Sequence, residues 1–349
     1  MTLTQQQREK QLGLWVAQTL SCAPETIHFA PIASDAGFRR YFRFATPSQW
    51  LAVDAPPQTE DTQQFVSLAR YLSANKVNTP TILAADEKAG FLLVTDFGDE
   101  LLYKALLPST FQSSYRQTFN TLLSLQACPD QPALIARYDR ALLRRELDIF
   151  IEWFAGKLLA YPMQSNELAM LNELFLNLEN SALEQPQNLV HRDFHSRNLL
   201  VCADESIGVI DFQGALWGGC TYDLVSLLKD CYIRWPGAQT RELALEYYRS
   251  AMKAGLLDVG ISESTYLRWF DWMGLQRHIK VLGIFARLHL RDNKPHYLKD
   301  LPLVIRYTLE VAVTYSELTP FANWFREKLL PIIEQQSWYS DYRVAGEQQ

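Results

Sequence analysis

Three polar side chains between residues 188 and 215 have the types and the spacing that phosphate chemistry uses. Asp193 and Asn198 stand five residues apart in LVHRDFHSRNLLV, and Asp211 follows the apolar run IGVI, 18 residues after Asp193. A carboxylate and an amide oxygen can bind Mg²⁺ and leave it free to keep waters and phosphate oxygens. A separate carboxylate, kept off the metal, can orient an attacking hydroxyl. The stretch therefore points to phosphoryl transfer.

The same residues match the catalytic-loop pattern of the protein kinases. In that pattern the Asp accepts the proton of the substrate hydroxyl, and an Asn five residues later binds metal. The match predicts Asp193 as the catalytic base and Asn198 and Asp211 as metal ligands. His191 and His195 are spaced like a metal pair, but kinase loops carry a structural His at the first position, so we expect structural roles for both.

A literal Asp-Phe-Gly triplet occurs earlier, at Asp96-Phe97-Gly98 in LLVTDFGDE. In protein kinases this triplet binds Mg²⁺, but it comes after the catalytic loop. We therefore predict that Asp211-Phe212-Gln213 is the metal triplet, with Gln213 as a possible substrate contact. Asp96 and Phe97 are predicted to contact the nucleotide at a junction between two lobes.

The elements around these motifs predict an α+β, bilobal, protein-kinase-like fold. Residues 1–95 read as strands with few helices and form the predicted nucleotide-binding lobe. A hinge is predicted at 96–100, and residues 101–349 form a mostly helical catalytic and substrate lobe. Short strands in NLVHRD, NLLV and IGVIDF interrupt the helical part.

Composition limits the classes of partner and the compartment. The chain has 349 residues, a net charge of -6, five cysteines without a Cys-x-x-Cys pair, and a polar N-terminus. We expect a cytoplasmic protein with reduced thiols, no nucleic-acid partner, no membrane span and no obligate protein partner. ATP, Mg²⁺ and a small molecule are the expected ligands.

Longer stretches resemble a known family. HRDFHSRNLL, VIDFQGA and TYDLVSLL are similar to the aminoglycoside phosphotransferase superfamily, which are small-molecule kinases with the protein-kinase-like fold. SDAGFRRYFR, VDAPP and LQRHIKVLGIFARL narrow the resemblance to the bacterial anomeric sugar kinases. Those enzymes phosphorylate the C1 hydroxyl of N-acetylmuramate and N-acetylglucosamine in peptidoglycan recycling. The resemblance implies that Asp223 braces the catalytic loop.

The sequence departs from the kinase pattern at the strand lysine that binds ATP phosphates. The comparable strand, LAVDA, carries Asp54 at that position. The candidates for replacing it are in SDAGFRRYFR, where Arg39, Tyr41 and Arg43 share one face of a strand and Arg40 takes the other. We include Arg40 and Arg43 among the predicted nucleotide contacts; the alternative is that these arginines are solvated residues at the edge of the sheet. Ser34 and Gly37 complete that predicted set.

A basic stripe in LQRHIKVLGIFARLHLRD suggests a partner for an anionic substrate. Arg277, Lys280, Arg287 and Arg291 fall on one helical face at 100° per residue. Arg277 or Arg287 could pair with the lactyl carboxylate of N-acetylmuramate, since arginine binds carboxylates bidentately. The alternative is a solvated basic face. Gln276 and His278 are candidate partners for sugar hydroxyls.

Two other functions remain open from the sequence. Another small-molecule kinase of the superfamily would act on an aminoglycoside or an amino alcohol, which are cationic and favour acidic pockets. A catalytically inactive kinase fold used as a binding scaffold would explain the missing strand lysine, although Asp193, Asn198 and Asp211 are all present.

Overall fold

The computed structural model describes residues 4–32, 38–44 and 49–347. The chain divides into two compact units, each formed by two separate segments of the chain. The first unit comprises residues up to 108 together with 197–214, and the second comprises 109–196 and the residues from 215 onward. The hinge at residues 96–100 stays a prediction.

The first unit is built on a five-stranded antiparallel sheet with the strand order β1-β2-β3-β5-β4. Its strands are β1 (Phe29–Ile32), β2 (Arg40–Phe44), β3 (Trp50–Asp54), β4 (Ile82–Asp86) and β5 (Phe91–Thr95), and its helices are α1 (Gln5–Thr19), α2 (Thr62–Ala74) and α3 (Leu102–Ala105). The Asp61 side chain caps α2 by accepting the N–H of Gln64. Pro56 and Pro57 follow β3, and Gly90 lies between β4 and β5.

One face of this sheet packs on α1 through an apolar core. Leu12 and Val16 of α1 meet Phe42 and Phe44 of β2 in a buried cluster. Residues alternate between the two faces of a strand, so Arg40 lies on the same face as Phe42.

A buried carboxylate fastens α1 to the same sheet face. Arg40 and Asp54 are cross-strand partners, so their side chains point to one side. The Asp54 carboxylate is fully buried and accepts hydrogen bonds from Arg40 Nη2 at 2.6 Å and from Arg8 Nε of α1 at 2.8 Å. Asp54, which the sequence comparison with kinases predicts at the position of the strand lysine, is thus the counter-ion of two arginines.

Residues 197–214 belong to the first unit because they form a hairpin that is hydrogen-bonded to Asn78 of that unit. The hairpin comprises β7 (Leu199–Val201) and β8 (Ile207–Val209). The side-chain amide of Asn78 donates to Ser206 Oγ at 3.1 Å and to the Ile207 carbonyl at 3.2 Å. The Asn78 carbonyl in turn accepts the N–H of Val209 at 2.8 Å. These bonds attach the strand that precedes Asp211.

The second unit is mostly helical. Its helices are α4 (Phe111–Gln126), α5 (Arg140–Ile149), α6 (Ser165–Glu184), α7 (Tyr222–Leu228), α8 (Gly237–Lys253), α9 (Glu263–Leu290), α10 (Leu301–Ala312), α11 (Thr319–Trp324) and α12 (Leu330–Ile333). The helix α5 continues as a π-helical segment over Phe150–Leu158. A two-stranded sheet of β6 (Gln187–Val190) and β9 (Leu216–Gly219) flanks the catalytic-loop sequence.

Helix α9 is the centre of the second unit. Its 28 residues span about 42 Å at the usual rise per residue, and it packs against α5, α6, α7, α8 and α10. Gly283 permits one close crossing, since a Cβ there would lie 2.6 Å from the Phe150 nitrogen. The helix is buried along most of its length, and so are several of its charged side chains.

The strand-rich N-terminal part and the helical C-terminal part confirm the predicted α+β class. Helix α1 is one of the few helices expected within residues 1–95. The sequence reading missed β1 and β9, which are short and carry proline or glycine. Among the described residues, no helix is both long and apolar enough to cross a membrane.

We predict that Asp54→Asn will destabilise the protein by about 3 kcal/mol. This is the low end for a broken buried ion pair, because Arg40 keeps some contact with water. Urea unfolding followed by circular dichroism measures the change. The control is Asp99→Asn, whose largely exposed carboxylate pairs with Arg43 on the same sheet and should matter little. Equal effects of the two substitutions would contradict the role assigned to Asp54.

Candidate active site

The predicted catalytic loop, residues 191–196, follows β6 in the second unit and is held by Asp223 of α7. The buried Asp223 carboxylate accepts the backbone N–H of His191 at 2.6 Å and that of Arg192 at 3.0 Å. Arg192 has φ 76°, a left-handed conformation that costs energy in a non-glycine residue. The two hydrogen bonds offset this cost and fix the backbone just before Asp193. This is the contact expected of the predicted brace.

A second buried carboxylate holds the other end of the loop. Asp230 accepts the N–H of Ser196 at 3.0 Å and the Ser196 hydroxyl at 2.5 Å. Its other oxygen accepts the N–H of Tyr232 at 3.1 Å. Sequence reasoning missed Asp230, because LLKDCY offers no motif and a buried Asp cannot be told there from an exposed one.

The partly buried Asp193 carboxylate lies in a positive environment. Withdrawal from water alone would raise the pKa of Asp193, but Lys280, His195 and Arg277 together outweigh this effect and lower it. Asp193 is therefore ionised at neutral pH and able to accept a proton or a hydrogen bond from a hydroxyl group. The geometry fits the predicted base.

Lys280 belongs to a buried charge cluster, which we define as Glu146, Arg192 and Lys280. Glu146 of α5 contacts the Arg192 guanidinium, and its Oε1 lies 3.0 Å from Lys280 Nζ. Burial alone would raise the pKa of Glu146, but Lys280 and Arg192 outweigh it and lower that pKa. The hydroxyl of Tyr222 lies 3.1 Å from Lys280 Nζ. The sequence reading did not single out Glu146, which looks like an ordinary helix charge in RRELDIF.

The two histidines of the loop have structural surroundings. His191 is fully buried, and its Nδ1 accepts the N–H of Asp193 at 3.3 Å. The ring of His195 packs edge-on against Tyr232 at 5.4 Å between centroids. Within the described part of the chain, no group of three or more His, Cys, Asp or Glu residues is arranged to hold a metal. The structural roles expected for both histidines stay predictions.

The predicted metal ligands, Asn198 and Asp211, lie in the first unit. The Asn198 carbonyl accepts the N–H of Ile210 at 3.1 Å, which brings the two ligand positions close together. Asp211 has φ 63°, and its exposed carboxylate accepts Gln213 Nε2 at 2.5 Å. One carboxylate and one amide side chain form a hard oxygen donor set, which fits Mg²⁺ with further ligands from phosphates and water. Gln213 donates to this carboxylate, and the substrate contact predicted for Gln213 stays a prediction.

Asp96 is held in a network of its own at the end of β5. Its carboxylate pairs with Arg43 Nε at 2.5 Å and accepts the N–H of Gly98 at 2.8 Å. Burial alone would raise the pKa of Asp96, but Arg43 and the Gly98 N–H outweigh it and lower that pKa. The predicted nucleotide contacts Asp96 and Arg43 thus neutralise each other. This closed network fits a structural junction better than a metal site.

Phe97 lies beside the hairpin of the first unit. A Cβ added to Gly208 of β8 would come within 2.5 Å of the Phe97 ring, so the ring rests directly on the glycine backbone. Of the other predicted nucleotide contacts, Arg40 is engaged by Asp54 on the α1 face. Ser34 and Gly37 lie outside the described residues.

The substrate residues predicted on α9 divide into buried and accessible ones. Gln276 is fully buried, with Nε2 3.5 Å from the Tyr138 hydroxyl. The His278 ring is also buried and stacks on Tyr307, and burial lowers the pKa of His278 to about 3. These surroundings leave no surface of either side chain for a sugar, so the roles predicted for them need correction.

The two arginines of the stripe also differ. Arg277 is buried, and it donates to Ser226 Oγ at 2.7 Å and to Cys231 Sγ at 3.2 Å. Arg287 is half-buried, and its buried Nε has no acceptor among the described residues. Burial and the neighbouring Arg291 lower the pKa of Arg287. Arg287 is therefore the better candidate for an anionic ligand.

Comparison with known proteins gives consistent matches. The sequence profile described as the phosphotransferase enzyme family matches residues 28–257. An N-acetylmuramate/N-acetylglucosamine kinase of Pseudomonas aeruginosa is 39% identical over 318 residues, covering 88% of this chain and 92% of that protein. A protein of the same name from Neisseria meningitidis is 36% identical, covering 90% and 94%.

The fold is also found in solved structures. The ADP-bound crystal structure of aminoglycoside phosphotransferase APH(2'')-Ib aligns with a TM-score of 0.59, covering 86% of this chain and 98% of that one at 14% identity. At this identity the likeness concerns the fold alone. It confirms the predicted protein-kinase-like fold.

We predict that Lys280→Met will lower the free energy of unfolding by about 1.5–3 kcal/mol at pH 7, the usual value of a hydrogen bond to a charged group. Lys280 lowers the pKa of Glu146 and Asp193, so its contribution is present above the ordinary carboxyl pKa of about 4 and is lost as pH falls below it. The difference between wild type and variant should therefore shrink on acidification.

Urea unfolding at intervals from pH 7 to pH 3 tests this dependence. Lys280→Arg, which keeps the positive charge, is the matched control. A difference between wild type and Lys280→Met that stays constant over the whole range would show that packing, and not charge, makes the contribution.

Proposed function

Because the chain belongs to the phosphotransferase enzyme family, we propose that it transfers a phosphoryl group from ATP to the C1 hydroxyl of an amino sugar, N-acetylmuramate or N-acetylglucosamine. The names of the two bacterial relatives support the acceptor. The structural observation that carries the proposal is that Asp193 lies in a loop held at both ends by buried carboxylates. The expected setting is peptidoglycan recycling in the cytoplasm, where ATP is available; all five cysteines are free, as expected there.

Asp193 acts on the acceptor in this proposal. Its carboxylate accepts a hydrogen bond from the sugar hydroxyl, orients the attacking oxygen and receives its proton as the new bond to phosphorus forms. Phosphoryl transfer depends mainly on positioning and electrostatics, so a fixed backbone before Asp193 matters as much as its basicity. The brace by Asp223 supplies that fixed backbone.

Asn198 and Asp211 are the residues that would bind Mg²⁺. The ion, when bound, would neutralise charge on the ATP phosphates. The left-handed backbone at Asp211 presents its carboxylate at the end of β8, with Gln213 holding one oxygen. Both residues lie on elements that are attached to the first unit by hydrogen bonds.

Arg287 is the proposed partner of the lactyl carboxylate of N-acetylmuramate. It follows Lys280 by two helical turns on the same face of α9, a rise of about 10.5 Å. Lys280 lies 3.0 Å from Glu146, which also contacts Arg192, the residue before Asp193, so the stripe extends from the catalytic loop toward Arg287. A half-buried guanidinium with an unused donor is suited to bind a carboxylate.

We predict that Asp211→Ala will abolish Mg²⁺-dependent turnover, whereas Asp96→Ala will retain most of it. Asp211 has an exposed carboxylate next to Asn198, and Asp96 is neutralised by Arg43. Titration of turnover with Mg²⁺ separates the variants. Loss of the metal dependence in Asp96→Ala, with Asp211→Ala still active, would reverse the assignment.

We predict that Arg287→Ala will lower kcat/KM for N-acetylmuramate about 10–150-fold, the value of a charge-assisted hydrogen bond. N-acetylglucosamine lacks the carboxylate and should be nearly unaffected. Arg277→Ala should impair both sugars alike, because Arg277 supports buried groups near the loop. Equal losses for both sugars in Arg287→Ala would remove Arg287 as the carboxylate partner.

The acceptor itself is tested with a panel of substrates. Wild-type protein is incubated with ATP, Mg²⁺ and either amino sugar, and ³¹P NMR identifies the hydroxyl that is phosphorylated. Kanamycin and choline represent the aminoglycoside and amino-alcohol alternatives. Turnover of one of these, without turnover of either amino sugar, would contradict the proposed function.

A further inference from the structure

The first unit needs a cation for the ATP phosphates that β3 does not supply. In protein kinases a β3 lysine, paired with a helix glutamate, takes this role. Here Asp54 occupies that position and faces α1, where it pairs with Arg8 and Arg40. A phosphate-binding cation has to come from the other face of the sheet, which is the face toward α2.

Arg39 lies on that other face. It immediately precedes β2, and the alternation of side chains places it opposite to Arg40. Its Nη2 pairs with Glu60 Oε2 at 2.8 Å, just before α2, and its guanidinium carbon lies 4.6 Å from the centre of the Phe65 ring. An arginine–glutamate pair at the start of α2 has the same charges as the kinase lysine–glutamate pair.

The same contacts connect Arg39 to the predicted metal ligand. The Phe65 ring stacks on Phe212, which follows Asp211, at 4.9 Å between centroids and 24° between planes. The Phe65 ring thus lies between the Arg39 guanidinium and Phe212, the direct neighbour of Asp211 in the chain.

Arg39 has an unused donor despite its burial. Only 8% of the residue is exposed, and its Nε has no acceptor among the residues that the structure describes. Buried donors without a partner are rare in folded proteins and call for an explanation. A bound anion explains this one, since a guanidinium presents a fork of donors that matches phosphate oxygens.

We propose that Arg39 binds the phosphates of ATP in place of the missing β3 lysine, and that Glu60 is the positioning residue that orients it. This inference rests on the proposed use of ATP. Arg39 would contact the phosphates directly, whereas Glu60 would act only through Arg39. The phosphate-binding cation would then lie next to β2 here, whereas in protein kinases it lies on β3. In both cases it pairs with an acidic residue near the helix.

Nucleotide affinity tests the inference without any turnover. Calorimetric titration with ATP, ADP and adenosine is carried out on wild type, Arg39→Gln and Arg39→Lys. Arg39→Gln should weaken ATP binding about 10–100-fold and leave adenosine binding unchanged, because adenosine has no phosphate. Arg39→Lys should recover part of the loss. The matched control is Arg70→Gln, which removes an exposed charge from α2 and should bind ATP like the wild type.

A double-mutant cycle tests the role of Glu60. Glu60→Gln should weaken ATP binding in the wild-type background and have little further effect in Arg39→Gln, since a positioning residue acts only through its partner. Independent, additive losses would show that Glu60 does not act through Arg39.

The remaining outcomes separate this inference from the proposed function. Wild-type binding of ATP with an unchanged affinity in Arg39→Gln overturns the inference alone. If Arg39→Gln weakens the binding of ATP and of adenosine equally, Arg39 supports the structure of the site and does not bind phosphate, and the inference is also overturned. If Arg39→Gln does not fold, Arg39→Lys is used instead. A ratio of ATP to adenosine affinity below that of the wild type supports the inference, and an unchanged ratio overturns it. A wild-type protein that binds no ATP overturns the proposed function together with this inference.

Discussion

The Asp223 carboxylate fixes the backbone on which the catalytic loop depends. Arg192 adopts a left-handed conformation that a bulky residue avoids, and only surrounding contacts can stabilise it. Asp223 provides these contacts by accepting two consecutive N–H groups from within a fully buried helical turn. Helix α7 packs on α9, so the long central helix supports the brace as well as the charge cluster beside Asp193.

Compensation of buried charge explains which of the basic residues are available to a ligand. Arg40 and Arg8 neutralise Asp54, and Arg43 is engaged by Asp96. The carboxylates neutralise these arginines, so a buried arginine is not by itself a candidate ligand contact. Arg39 and Arg287 differ because each has a buried Nε without an acceptor among the described residues. Unused hydrogen-bonding capacity is what distinguishes a candidate ligand contact from a structural ion pair.

The sequence predicts the parts of the site that a short motif encodes. Asp193, Asn198 and Asp211 lie within 19 residues of one another, and the order of the motifs favours Asp211 over the literal triplet at Asp96 as the metal ligand. This assignment stays a prediction. Asp230 and Glu146 were missed because their roles come from tertiary contacts with Ser196 and Lys280, which no local pattern records. His278 was misjudged because helical periodicity gives the direction of a side chain and not how deeply α9 is buried.

The register of the sheet accounts for the absence of the strand lysine. Position 54 points to the α1 face because it pairs directly across from Arg40. A lysine there would place a third cation beside Arg8 and Arg40, in a place from which water is excluded, and the repulsion between them would oppose the docking of α1. An acid is therefore required at position 54 by the way α1 packs on this sheet. A cation for the other face has to come from a residue whose side chain points away from α1, and Arg39, which immediately precedes β2, is one such residue.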